Sequence, residues 1–293
     1  MDLVDAHAAR LPALDDRWVP RLHERAALVR GLLEGRAAGP EVSHPMDNVR
    51  RNIGLLLDGD PDKQFGMSGL AGSASAEEVL ALVGEAAGFD ARTAPATGPV
   101  PVDPERVLDA CAEVGERLAL ACERRERVVL ATGHPVGLML LYAEVGRALA
   151  ARGVELLRPG DGERWTAPGS ERPSEIRYLW GVGMRTDGTQ ATHTHEGEPM
   201  RRMLAHERPD LVLADHGFAG RAIEEGVEAL SVADVNDPAL LLARAQGRTA
   251  SVIVMDDNVR PDAYWPCFQE IVARLPRAPG SERPTLRGRR IAS

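Results

Sequence analysis

Two hydrophobic rhythms divide the chain. Before about residue 100 the apolar positions recur only at helical spacing; beyond it, short apolar runs alternate with helical stretches. In the first part, Asp16 to Arg36 reads as an amphipathic helix ended by Pro40. Ser43-His44-Pro45-Met46 reads as an N-cap with an early proline, opening a helix to about Leu57 that Asp58-Gly59-Asp60-Pro61 stops. A third helix is expected from about Ser75 to Ala87. Ala91 to Pro101, with three prolines and a glycine, reads as a linker. Residues 1–100 are therefore expected to form a helical cap region.

The second part predicts helix Asp103–Arg124, strand Val128–Ala131, helix Val136–Arg152 and strand Val154–Leu157. Arg177–Met184 and Thr189–His193 flank Asp187-Gly188, a hairpin turn signal. Helix Glu198–His206 follows. Strands Leu211–Ala214, Ala229–Val232 and Ser251–Met255 then alternate with helices Ala219–Glu225 and Pro238–Gln246, and a last helix begins near Pro261. This alternation specifies an α/β fold: a doubly wound, mostly parallel sheet with an inserted β-hairpin, beside the helical cap. Residues 101–276 would be the catalytic α/β domain. The tail 277–293, with five arginines and one glutamate and no apolar period, is expected to be disordered and basic.

Composition narrows the partners. With 293 residues, 44% of them hydrophobic, the chain can build a sizeable core. It has no apolar run of about 18 residues, so no membrane span is expected. The acidic start Met1-Asp2-Leu3-Val4-Asp5 lacks the order of a signal peptide, and a cytoplasmic protein is expected. A net charge of −9 argues against nucleic acid as a partner. Lys63 is the only lysine, which excludes a GxxxxGK[ST] phosphate loop and leaves Schiff-base chemistry to that residue alone. Cys111 and Cys122 would stand roughly 16 Å apart on one helix, too far to bridge. With Cys267 they read as free thiols.

Reactive side chains gather in five segments, each at the expected end of a strand, where an open parallel sheet binds its ligands. Thr132, Gly133 and His134 join a strand to a helix whose free N–H groups would attract phosphate. His193 and His195, two apart, would share one face of a strand end, a frequent metal-ligand spacing. Asp215 closes an apolar strand beside His216, as a metal ligand or catalytic group, or as the N-cap of the next helix. Asp234 and Asn236 offer oxygen ligands, whereas Asp237 also reads as an N-cap with Pro238 behind it. Asp256 and Asp257 are adjacent acids that need a cation or an arginine. In the cap, Asn48 and Arg50 are candidates to close over a substrate, and His44 lies nearby; Arg50 or Arg51 would clamp its phosphate. His7, His23 and His206 read as surface residues.

The strings Ala131-Thr132-Gly133-His134-Pro135, His193-Thr194-His195-Glu196-Gly197-Glu198-Pro199-Met200-Arg201, Pro209-Asp210-Leu211-Val212-Leu213-Ala214-Asp215-His216-Gly217 and Asn236-Asp237-Pro238-Ala239-Leu240 resemble a phosphatase family common in actinobacteria. The resemblance spans roughly residues 105–270. It implies functional roles for Gly133, His134, His193, His195, Asp215, His216, Asn236, Asp237, Asp256 and Asp257. This chain departs from the family pattern at Val235, where a cysteine is usual. It departs again at Asn258, where a histidine is usual, which argues against proton transfer there.

Residues and resemblance together predict a metal-dependent phosphatase hydrolysing a small phosphorylated metabolite, a sugar phosphate or nucleotide. Asp215, His216 and His195 would be catalytic. Thr132, Gly133, His134, Asn48 and Arg50 would bind substrate. The metal would be held from among Asp215, His193, His195, Asp234, Asn236, Asp256 and Asp257. Mg²⁺ or Mn²⁺ is favoured, and the histidine pair keeps Zn²⁺, Fe²⁺ or Ni²⁺ open. Alternatives are a lyase, isomerase or oxygenase using His193, His195 and Asp215, or a non-catalytic phosphate-ligand binder. A homo-oligomer is compatible with the sequence.

Overall fold

The computed structural model describes residues 23–72, 74–166 and 172–278. His7, the expected helical stretch before residue 23 and the tail from 279 lie outside the described residues. Among the described residues, four helices precede the alternating part: α1 (Arg25–Gly35), α2 (Met46–Leu57), α3 (Pro61–Gln64) and α4 (Ala76–Ala87). Ser75 caps α4 with a reciprocal box, its hydroxyl taking the Glu78 N–H while the Glu78 carboxylate takes the Ser75 N–H. Ser43 does not cap α2. Pro45 holds that position, and the Ser43 N–H instead goes 2.7 Å to Asp256 Oδ2, which ties the loop to the sheet.

The alternating part follows: α5 (Pro104–Arg124), β1 (Arg127–Ala131), α6 (Met139–Ala150), β2 (Glu155–Leu156), β3 (Arg164–Thr166), β4 (Pro173–Leu179), β5 (Val182–Thr186), α7 (Glu198–His206), β6 (Leu211–Asp215), α8 (His216–Glu224), β7 (Glu228–Ala233), α9 (Pro238–Ala245), β8 (Ser251–Val254), a 3₁₀ turn (Pro261–Tyr264) and α10 (Trp265–Arg274). The strands form one sheet of order β3-β4-β5-β1-β6-β7-β8, with β2 also paired to β1. Only the β3–β4 and β4–β5 pairings are antiparallel. β1 and β6 to β8 are almost wholly buried, which is why their sequences are apolar runs without alternation.

Helices cover the sheet in two layers. α1, α5, α6 and α10 pack together in one, and α2, α3, α4, α7, α8 and α9 in the other. The helices of the first hundred residues thus divide between the layers, and their buried side chains share one core with the sheet. No helix among the described residues is long and apolar enough to cross a membrane. The chain leaves β1 on the side of β2 and β5 and returns on the other side as β6. A crevice therefore opens beyond the carboxyl ends of β1 and β6, the usual ligand position in such sheets.

Three expectations need correction here. The hairpin reverses at Trp180-Gly181, both at positive φ (50° and 83°), inside the stretch 177–184 read as one strand. Asp187-Gly188 is a separate turn, with Asp187 Oδ1 accepting the N–H groups of Thr189 and Gln190 at 3.0 Å. Residues after it make only an isolated bridge, Thr186 to Ala191, so His193 and His195 stand on a loop rather than a strand end. Finally, α6 begins at Met139, and residues 135–138 form turns. The Gly133-His134 segment is therefore not the first turn of a helix.

Candidate active site and metal centre

Asp215 ends β6 without solvent exposure, and it makes no side-chain cap to α8. Its Oδ2 accepts the Gly133 N–H at 3.0 Å and faces His134 Nδ1 at 3.4 Å and His216 Nδ1 at 3.7 Å. Gly133 is required for this approach, because a Cβ there would stand 2.4 Å from the Thr194 carbonyl and 3.3 Å from Asp215 Oδ2. The N–H groups expected to cradle phosphate are thus already used: Gly133 donates to Asp215, and His134 donates to Thr132 Oγ1 at 2.9 Å. Thr132 is itself fully buried. Burial pushes the Asp215 carboxyl upward, but His134 and His216 outweigh it and hold it below the ordinary range.

His216 turns the chain from β6 into α8 at φ 45°, a left-handed value uncommon outside glycine. Its ring is buried. Nε2 lies 3.0 Å from Asp237 Oδ2 and 3.4 Å from Asp257 Oδ2. Burial favours the neutral ring, but these two carboxylates raise its pKa well above the ordinary value. Reciprocally, His216 overcomes the burial of Asp237 and brings that carboxyl down to about 2. Asp237 therefore serves His216 and makes no side-chain cap to α9, although Pro238 does open that helix.

Four imidazoles meet above these acids. The His216 ring centroid is 4.2 Å from that of His134 and 4.4 Å from that of His195, and His193 is 4.4 Å from His134. His134 Nε2 reaches Asp257 Oδ1 at 3.6 Å. Burial, then the neighbouring imidazoles, lower His193 to about 4; burial and His216 also lower His195. His195 Nδ1 is 3.1 Å from Asp62 Oδ2, and its ring meets Phe65 edge-on. Asp62 and Phe65 had no motif to mark them. They follow Asp58-Gly59-Asp60-Pro61, which reads only as a helix stop.

The remaining candidates separate. Asp257 joins the cluster, but Asp256 turns away, both its oxygens taking backbone N–H groups, from Ser43 at 2.7 Å and Asn258 at 3.0 Å. Asp234 is buried, and its Oδ2 is 3.6 Å from His44 Nε2. Burial first, then Asp257 and Asp256, raise its carboxyl well above the ordinary value. Asn236 donates to Asn48 Oδ1 at 2.9 Å, and both line the cleft. Arg50 is not brought to the site. Its guanidinium bonds the carbonyls of Ala94 and Pro95 on the exposed surface, while Arg51 lines the cleft instead. One helical step exchanges the two faces. Lys63, marked in the sequence only as the single lysine, also lines the cleft.

The cleft has a volume of about 710 Å³. At its floor, ligand atoms of His134, His193 and His216 lie within 4.8 Å of one another, as do those of His216, Asp237 and Asp257. Asp215 Oδ1, Asp257 Oδ2 and His216 Nδ1 are buried without a hydrogen-bond partner. Buried carboxylates in this density call for a cation. The residues therefore fit a divalent metal, and the mixture of imidazole and carboxylate suits a first-row transition ion better than the all-oxygen set expected for Mg²⁺.

Comparison with known proteins gives the family. The chain is 32% identical over 253 residues to "Phosphatase SCO2771" of Streptomyces coelicolor, covering 84% of this chain and 94% of that protein. No solved structure matches it. The family described as Phosphatase matches residues 23–279, from the helices before the sheet to the end of α10, and the chain belongs to that family.

Proposed function

We propose that the protein is a metal-dependent phosphomonoesterase acting on a small phosphorylated metabolite, a sugar or polyol phosphate in preference to a nucleotide. The carrying observation is the buried His/Asp cluster, with its unpartnered oxygens and ring nitrogen, at the floor of a cleft lined with hydrogen-bonding groups. His134, His193, His216, Asp237 and Asp257 would hold the ion. When bound, it would polarise the phosphoryl group and lower the pKa of a coordinated water. Asp215 fixes the ring of His134 from behind, the usual task of a carboxylate beside a metal-ligating histidine. His195, oriented by Asp62 through Nδ1 and kept neutral by burial, presents Nε2 to take the proton of the attacking water.

Substrate class follows from the walls. Among the described residues no Phe, Tyr or Trp lines the cleft, so a nucleobase finds none of the large aromatic faces that favour stacking. Asn48, Asn52, Asn236 and His44, on the side formed by the helical cap and the α9 loop, offer hydrogen bonds suited to hydroxyl groups. The test is metal analysis of untagged protein, then phosphate release from sugar phosphates and nucleotides with and without chelator. Expected are a bound transition metal, activity lost on chelation and restored by the metal, and faster turnover of sugar phosphates. Hydrolysis indifferent to chelation would overturn the metal assignment, and preference for nucleotides the substrate class.

A further inference from the structure

All but one of the chain's 35 basic residues are arginine, and the exception lies in the cleft. Lys63 is placed there firmly. Its short helix α3 is capped by Asp60, whose Oδ1 accepts the Asp62 N–H at 2.8 Å. It ends at Phe65, fully buried at φ 51°, with its ring 5.3 Å from His195 and 5.1 Å from His216. The lysine is thus held two residues from an aromatic anchor seated against the histidine cluster. Its side chain keeps 14% exposure, whereas that of Arg260, another cation of the cleft, keeps 81% and pairs with Asp262. Lys63 is a cation set deep; Arg260 and the exposed Arg51 belong to the mouth.

Its contacts leave it capacity. Nζ lies 2.8 Å from Asp62 Oδ2, the same oxygen that meets His195 Nδ1 at 3.1 Å. Among the described residues Asp62 is its ion-pair partner, yet an ammonium carries three donors. A pair between adjacent residues, one of them 57% exposed, adds little to the fold, and an arginine would serve as well. A compact ammonium is instead suited to a tight site, as a point charge on a phosphoryl oxygen. The site needs such a charge. Asp215, Asp237 and Asp257 are buried around the floor, and their charge repels an approaching phosphate dianion.

We propose that Lys63 is the phosphate-binding cation of this site, contacting a non-bridging oxygen of the substrate's phosphoryl group beside the His/Asp cluster. This rests on the phosphatase reading above. It is tested with the full-length, metal-loaded protein.

Because the chain has one lysine, acetic anhydride has one side-chain amine to acylate, and the α-amino group serves as internal control. Saturating inorganic phosphate should slow acylation of Lys63 several-fold and leave the α-amino rate unchanged, read by peptide mass mapping. Lys63→Met should raise KM for p-nitrophenyl phosphate roughly 10- to 100-fold, the loss of one charge-assisted hydrogen bond. Bound metal and melting temperature should stay as in the wild type, and Lys63→Arg should recover part of the loss. Asp62→Asn should leave KM within a few-fold. If Lys63 merely positions Asp62 and His195, Lys63→Met and Asp62→Asn will instead fall together in kcat with KM unchanged, and the proposal is overturned. If the wild type hydrolyses the ester but phosphate gives no protection, the proposal fails while the phosphatase reading stands. If no divalent metal supports hydrolysis, both fail.

Discussion

Asp215 and Asp256 look alike in sequence, each an acid at the end of an apolar strand, and the structure gives them opposite work. Asp215 faces Gly133, His134 and His216. Asp256 turns to backbone donors and ties the loop before α2 to the sheet. Asp215→Asn should keep the Gly133 bond but lose the charge that orients His134, so phosphate release should fall roughly 10- to 100-fold. Its melting transition should stay cooperative, with a loss of about 1–3 kcal/mol. Wild-type turnover in this variant would remove Asp215 from the mechanism. Asp256→Asn should show the reverse: an amide can satisfy only one of the two N–H groups, costing about 1–3 kcal/mol, while bound metal and turnover persist. Metal loss from Asp256→Asn, at unchanged stability, would return it to the ligand set. Strand ends were legible as the place where these side chains gather. Which of two neighbouring acids points inward was not, because successive residues leave a strand in opposite directions.

At the scale of the element, α8 decides how tightly the site is built. A Cβ at Gly217 would stand 2.2 Å from the His195 carbonyl, and one at Gly220 would stand 2.2 Å from the Phe65 carbonyl. Two of the loops that carry candidate site residues lie directly on this helix. Gly220→Ala should therefore destabilise the protein by about 1–3 kcal/mol or more, despite alanine's helix propensity, and weaken metal binding. Gly54→Ala, on α2 with nothing within 4 Å of the new Cβ, should stabilise by about 0.5–1 kcal/mol. Denaturation of the two variants in parallel checks this, and equal effects would refute the packing account. Most helices were legible, α5 with its Asp103 cap and Pro104 start above all. The hairpin was misplaced because Asp-Gly is a turn signal wherever it occurs, and the reversal at Trp180-Gly181 places tryptophan at a φ it seldom adopts.

For the whole molecule, binding of the proposed metal and folding should be linked. The proposed ligands come from the segments after β1, β5, β6, β7 and β8, which meet only in the native sheet. An ion at a hundredfold excess over its Kd would add about 2.7 kcal/mol to stability. Chelation should accordingly lower Tm by several degrees, and Asp237→Asn should blunt that shift; a chelator-independent Tm would count against a metal centre. Sequence by itself determined the α/β class, the run of parallel strands and the five segments whose side chains meet at the His/Asp cluster, because periodicity and capping are local properties written in consecutive residues. Tertiary structure decided the rest. It chose Arg51 over Arg50 and Asp257 over Asp256, released Asp237 from capping to serve His216, and brought Asp62, Lys63 and Phe65 to the histidines. Those choices depend on which faces of distant elements meet, and close packing across the crevice between β1 and β6 sets them, not any pattern within a segment.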